Sequence, residues 1–187
     1  FVSQHIGDLE TENSFEVYKN LYKDFKNLFK IKPKIGSHDL HPDFPSTNFA
    51  NSQRLKLLSL QHHIAHLFSC MEDNGIKPPL FAAIWDGTGL GEDKNIWGGE
   101  FFTLDDNFKI RRFAYFNPFK LIGGEAAIKE PKRIALSLLY HILGDSIFRY
   151  RELPPLKNFK ENELDSLLNM FRKNINCPLT TSAGRLF

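Results

Sequence analysis

An α/β domain is the fold class that the sequence predicts, and three observations carry the prediction. Two apolar runs of strand length, residues 55–60 and 80–85, are separated by a segment of helix length, residues 62–74. The second run leads into Asp86-Gly87-Thr88-Gly89-Leu90-Gly91, a glycine-rich stretch of the kind that ends a strand. Composition agrees: 42% hydrophobic and 25% charged residues in 187 describe an ordinary globular chain and exclude disordered, collagen-like and coiled-coil classes.

In chain order, residues 11–29 place Phe15, Tyr18, Leu21, Tyr22, Phe25, Leu28 and Phe29 three and four apart, one apolar stripe of a helix. Asn13 or Ser14 is placed to cap it, with Glu12 and Glu16 near its positive end. Residues 34–39 read as a short strand after Pro33, and 40–47, punctuated by Pro42 and Pro45, as a loop. The run 55–60 reads as a buried strand, 62–74 as a helix stopped by Gly75, and 80–85 as a second buried strand. Strands at 96–104 and 109–116 flank Asp105-Asp106-Asn107, a hairpin-like spacer. Past Gly123-Gly124 the pattern turns helical through Ala126, Ala127 and Ile128 and then, after Pro131, through Ile134, Leu136, Leu138, Leu139 and Ile142 to Gly144. A last amphipathic helix spans 161–172, and Pro154-Pro155 is the best linker candidate, one that joins two helical regions and need not separate domains. The chain has 18 Phe; with Phe15, Phe25 and Phe29 on a helix stripe and Phe81 on a strand, core usage is the expectation, against an aromatic binding surface.

Charge narrows the function classes. Twenty-four Lys and Arg against 22 Asp and Glu give a net charge of +2, with the two signs interleaved, so no basic block asks for nucleic acid or an anionic membrane. No apolar run approaches the roughly 18 to 20 residues of a spanning helix. Cys70 and Cys177 stand alone without CxxC spacing, which removes a Cys-rich zinc module and fits a reducing cytoplasm. The opening Phe1-Val2-Ser3-Gln4-His5 has neither Met nor a signal-peptide pattern, and the close on Leu186-Phe187 is apolar, so a piece of a longer protein is expected.

Two constellations carry chemistry. His62 and His66 lie four apart at the start of a helix, so both imidazoles leave the same face and can share one metal ion. His63 points elsewhere; its place is that of the glutamate in HExxH, so the metalloprotease reading loses its general base. A surface histidine cluster is the alternative. Asp86-Gly87-Thr88-Gly89 offers a carboxylate, a hydroxyl and backbone amides that a phosphate can approach, but neither a Walker lysine nor GxGxxG spacing; a hairpin turn is the alternative. Gly98-Gly99-Glu100 and Gly123-Gly124-Glu125 are weaker, the latter opening a helix whose N-terminus can face an anion. Asp39-Leu40-His41-Pro42-Asp43 is a polar knot in which His41 is expected to bond a loop.

Seven ordered motifs then carry a resemblance: SQHIGDLE at 3–10, DLHPDFPST at 39–47, QHHIAH at 61–66, DGTGLG at 86–91, IWGGEF at 96–101, GGEAAIKEPKR at 123–133 and TTSAGRLF at 180–187. Together they resemble the HypF carbamoyltransferases of NiFe-hydrogenase maturation, over the whole chain and within their Kae/TsaD-like domain. The resemblance implies an actin-like (ASKHA) fold with an RNase-H-like lobe, a mixed sheet flanked by helices, incomplete at both ends. It implies acylphosphatase, zinc-finger and YrdC-like domains upstream, and a C-terminal lobe, all outside residues 1–187. It further implies that carbamoyl-adenylate, made from carbamoyl phosphate and ATP, is received here and its carbamoyl group passed to the C-terminal cysteine of a HypE-type acceptor, for cyanide-ligand synthesis. His62 and His66 would hold a divalent metal, Fe or Zn, with a third ligand, an Asp, in the C-terminal part. Asp86 would be catalytic, Gly87, Thr88 and Gly89 would form the phosphate loop, and Gly123, Gly124 and Glu125 the ribose and phosphate side. Ile64 departs from the family's HHHAH pattern, on a face turned from the metal. An O-carbamoyltransferase of antibiotic tailoring shares the metal pair and the loop; from a different class, a non-catalytic docking lobe would present a Phe-rich surface.

Overall fold

The aromatic stripe forms α1 (Glu12–Leu28) in a computed structural model that describes residues 2–186. Phe1 and Phe187, the last residue of TTSAGRLF, lie outside the described residues. The chain divides into two compact units, residues 1–64 and 65–187.

In the first unit the cap of α1 is Thr11 rather than Asn13 or Ser14. Its Oγ1 accepts the Ser14 N–H at 3.3 Å, and its own hydroxyl donates to Ser14 Oγ at 2.9 Å. No side chain of α1 is fully buried. β1 (Ile35–Asp39) follows, and then α2 (Pro45–Ser52), a helix inside the expected loop. Pro45 starts it because the first helical residue has no use for an N–H and gains from a fixed φ. Tyr18 and Tyr22 of α1 meet Phe49 of α2 edge-on, at centroid distances of 5.2 and 5.3 Å. Burial there raises the pKa of the Tyr18 hydroxyl, with Tyr22 adding to it. β2 (Lys56–Leu60) runs parallel to β1, with Asp39 opposite Leu60. The buried reading of this strand is corrected: Leu58 is 51% exposed, because successive side chains face opposite ways and one face of the two-stranded sheet is uncovered.

α3 (His62–Asn74) begins in the first unit and continues into the second, stopping at Gly75, whose φ of +62° suits glycine. β3 (Leu80–Leu90), β4 (Ile96–Leu104) and β5 (Ile110–Tyr115) form an antiparallel meander. The expected Asp105-Asp106-Asn107 hairpin is present, with Asp105 Oδ1 accepting the N–H groups of Asn107 and Lys109. β6 (Phe119–Lys120) and, much later, β7 (Leu179–Thr180) extend the sheet; β7 lies parallel to β4 and antiparallel to β6. The sheet is therefore mixed. Its helices are α4 (Glu125–Lys129), α5 (Lys132–Leu143), α6 (Pro154–Lys157) and α7 (Glu161–Lys173), with 3-10 turns at Gly144–Tyr150 and Ala183–Arg185. Leu136, Ile147, Leu156, Leu164 and Leu168 close one apolar cluster with Ile122; Phe119, Leu121, Ala127 and Ile134 close another. Among the described residues no helix is long and apolar enough to cross a membrane.

Three expectations change in this unit. β3 does not end at residue 85: it runs through Asp86-Gly87-Thr88-Gly89 to Leu90, with a register shift between Trp85 and Gly89, and the turn is at residues 91–95. Pro154-Pro155 is no linker, since the two prolines open α6 and Leu156 beside them is fully buried. Phe81 is 58% exposed, as is Trp85, because the other face of β3 is the covered one. Phe81 stacks on Phe101 and meets Phe113, so part of the Phe excess forms an exposed aromatic face and not core.

Candidate metal centre

Gln61 sets the start of α3. Its side-chain Oε1 accepts the N–H groups of His63 and Ile64 at 2.8 and 3.0 Å, satisfying two of the amides that open a helix without partners. This fixes the first turn, so His62 and His66 leave the helix one turn apart on one face, while His63 is fully buried and shares a hydrogen bond with Gln61 Nε2. Nothing in the hydrophobic pattern marks Gln61; the signal was a polar side chain directly before the first helical residue.

Asp86 comes from β3. Its Oδ1 accepts the N–H of Gly87 at 2.6 Å, and its Oδ2 lies 3.9 Å from Nε2 of His66. His62 stands one helical turn before His66 on the same face of α3. Two imidazoles on one helix face, with a carboxylate beside the second, suit a divalent transition metal with coordination positions left for water or substrate. A carboxylate beside His66 is therefore present in this chain, on the residue that the resemblance made catalytic.

The part of β3 that carries Asp86 is gripped from the far end of the sequence. Ser182 Oγ lies 2.9 Å from the Asp86 carbonyl oxygen and 2.8 Å from that of Gly87, its proton shared between them. Arg185 donates from Nε to the Gly87 carbonyl and from Nη2 to Thr88 Oγ1, each at 3.1 Å. Three glycines make room for this. A Cβ on Gly98 would stand 2.5 Å from the Asp86 carbonyl oxygen, one on Gly99 2.3 Å from that of Thr181, and one on Gly184 3.0 Å from Gly87 Cα. Beneath them Glu100, fully buried, accepts from the backbone N–H groups of Gly98 and Gly99, from the Thr181 hydroxyl and from Arg112 Nε at 2.6 Å. Arg112 lies between the rings of Trp97 and Tyr115, 3.8 and 3.9 Å from their centroids. Gly98-Gly99-Glu100, weak as a sequence motif, thus positions the segment that holds Asp86, Gly87 and Thr88. Gly89 pairs with Trp97 in the β3–β4 ladder.

Gly123, Gly124 and Glu125 belong to a second knot. Gly123 and Gly124 have φ of +88° and +58°, and their N–H groups go to the carbonyls of Asn176 and Leu121, so these two amides are spent on the fold. Glu125 starts α4, a helix of five residues. Arg133 bonds Glu130, and Lys132 pairs with Glu130 and Glu163. His41 bonds its own loop as expected, its Nδ1 accepting the N–H of Asp43 at 3.2 Å. Burial pushes the Cys177 thiol up, which disfavours a thiolate there; Cys70 is exposed, and both cysteines are free.

Comparison with known proteins shows the family. Residues 1–73 match the model of the HypF Kae1-like domain, and residues 82–187 that of the carbamoyltransferase Kae1-like domain, second subdomain. The carbamoyltransferase HypF of Synechocystis sp. is 37% identical over all of this chain and 26% of its own length; the probable carbamoyltransferase HypF of Methanocaldococcus jannaschii is 34% identical over all of the chain and 24% of its own. A crystal structure of full-length HypF in a phosphate- and nucleotide-bound form superposes with a TM-score of 0.89 at 35% identity, covering all of this chain and 24% of that one. The structure of T. kodakarensis HypF gives 0.83 at 27% identity, covering 98% of this chain and 25% of that one. The chain thus spans about a quarter of the length of the relatives it matches.

Proposed function

Because the chain belongs to the HypF Kae1-like domain family, we propose that it is the carbamoyl-transferring part of a longer carbamoyltransferase, working in the cytoplasm. It takes carbamoyl-adenylate, formed elsewhere in that protein from carbamoyl phosphate and ATP. It transfers the carbamoyl group to the C-terminal cysteine of a HypE-type acceptor, as a step towards the cyanide ligands of a NiFe hydrogenase. The bond between the carbamoyl carbon and the phosphate oxygen breaks, AMP leaves with the electron pair, and a carbon–sulfur bond forms from the acceptor thiolate. The observation that carries this reading is the Asp86 carboxylate 3.9 Å from His66, one helical turn after His62, on a glycine-rich segment.

His62, His66 and Asp86 would hold a divalent metal, Fe(II) or Zn(II), which when bound supplies Lewis-acid polarisation of carbamoyl or phosphate oxygens. The chain's own groups do the rest. Asp86 Oδ1 accepts the N–H of Gly87, which ties the carboxylate to the backbone of its own strand. Arg185 brings a guanidinium to Thr88, where it offsets phosphate charge and orients the hydroxyl. Ser182 and Arg185 hold the carbonyls of Asp86 and Gly87 and so keep this part of β3 in one conformation. Gly123, Gly124 and Glu125 take the ribose side in this reading, through the Glu125 carboxylate, since the glycine amides bond Asn176 and Leu121.

The test is made in the full-length protein. His62→Ala and His66→Ala should abolish carbamoyl transfer to the acceptor cysteine while adenylate formation from carbamoyl phosphate and ATP continues. Transfer that survives both substitutions overturns the reading. A docking lobe is the second reading, favoured by the exposed Phe81, Trp85 and Phe113; it predicts that neither metal nor nucleotide binds to residues 1–187.

A further inference from the structure

The parallel pairing of β1 and β2 puts Asp39 opposite Leu60, two residues before His62. Two strands that end together deliver the last residue of one to the start of the helix that follows the other. Asp39 Oδ2 lies 2.6 Å from His62 Nδ1, within hydrogen-bond reach. Its other oxygen, Oδ1, accepts the backbone N–H of His41 at 2.8 Å, and the Leu40 N–H bonds the Leu60 carbonyl at 2.8 Å. The carboxylate is therefore held by its own loop and has one oxygen left for the imidazole. Its side chain is 17% exposed and that of His62 28%, so water competes weakly for the bond.

We propose that Asp39 is the positioning residue of the metal centre: it fixes His62 in the tautomer protonated at Nδ1, with Nε2 unprotonated and directed outward as the ligand atom. An imidazole whose second nitrogen donates to a carboxylate is both oriented and made a stronger base, and removing such a partner weakens metal binding without touching the metal. This inference rests on the metal reading above. His38, one residue earlier, makes no such contact: its Nδ1 lies 2.7 Å from the Asp39 backbone carbonyl, which supports the loop.

Cobalt(II) titration of the full chain, read by visible absorption, is the test, with Asp39→Asn and Asp39→Ala beside His62→Ala and His66→Ala. Asp39→Ala is expected to weaken cobalt binding by about 10–100-fold, with Asp39→Asn between it and the native chain because an amide still accepts the Nδ1 proton. In the metal-free protein the ring nitrogen shifts of His62 should report an Nδ1-protonated ring that becomes a mixture of tautomers in Asp39→Ala. A purely structural Asp39 would leave that signature unmoved, and the ring shifts remain readable if a variant loses some stability. Loss of cobalt binding in the histidine variants with native affinity in Asp39→Ala overturns the role of Asp39 alone. Native affinity in His62→Ala and His66→Ala overturns the metal reading and this inference with it.

Discussion

The two units keep their shapes by different means. In residues 2–64 no apolar side chain is fully buried; the first unit rests on aromatic edges around Phe49, a short parallel strand pair and side chains that bond nearby backbone. In residues 65–186 two apolar clusters accompany a mixed sheet in which the buried Glu100 pairs with a half-buried Arg112. The first positions Asp39 and His62 by strand register and a helix cap, the second positions Asp86 by close backbone packing. Polar geometry can thus be set without a core, but a unit built that way loses stability in small, local steps, whereas a packed interior fails as a whole.

Three substitutions sharpen that contrast. Leu168→Ala in the second unit should cost about 2–5 kcal/mol, since it empties a fully enclosed site in the cluster of α5, α6 and α7. Denaturant titration should show the loss in the transition of this unit, and a cost near zero would mean that the cluster can collapse around the gap. Thr11→Ala removes the oxygen that accepts the Ser14 N–H and should cost about 1 kcal/mol, as fraying of α1 seen by hydrogen exchange, with the second unit unchanged. The smallest effect is at Asp145, whose carboxyl Arg172 holds below the usual aspartate range by a hydrogen bond, helped by the Tyr140 hydroxyl and by the charge of Arg172. A carboxylate with a lowered native pKa contributes stability at neutral pH that disappears as pH falls through the unfolded and then the folded pKa. Because both partners are solvent-exposed, the contribution should be small and shrink in salt, and Asp145→Asn should flatten the acid limb of a stability profile measured in low salt.

Much of the fold was legible where the information is local. Helices at 12–28, 62–74, 132–143 and 161–173 follow from apolar spacing, and the β4–β5 hairpin from its Asp-rich spacer. β6 and β7 were not, because two residues carry no periodicity and each becomes a strand only through its neighbours. α2 was hidden by reading Pro45 as a breaker when its position made it an opener. At the site, the shared face of His62 and His66 is a helix property and was visible at once. The pairing of Asp39 with His62 joins segments 23 positions apart, and the grip of Ser182 on Asp86 joins segments 96 apart.

By itself the sequence determined which stretches are helical, that two imidazoles share one face, and that glycines cluster where backbones must approach. Spacing along a chain reports local geometry, with its periods of 3.6 and 2 residues. Only the tertiary structure decided that the Asp86 segment continues a strand, that the Phe81 side of the sheet stays exposed, and that Asp39 meets His62. Those outcomes depend on register between distant segments, and register is fixed by the pairing of whole strands and not by any residue within one of them.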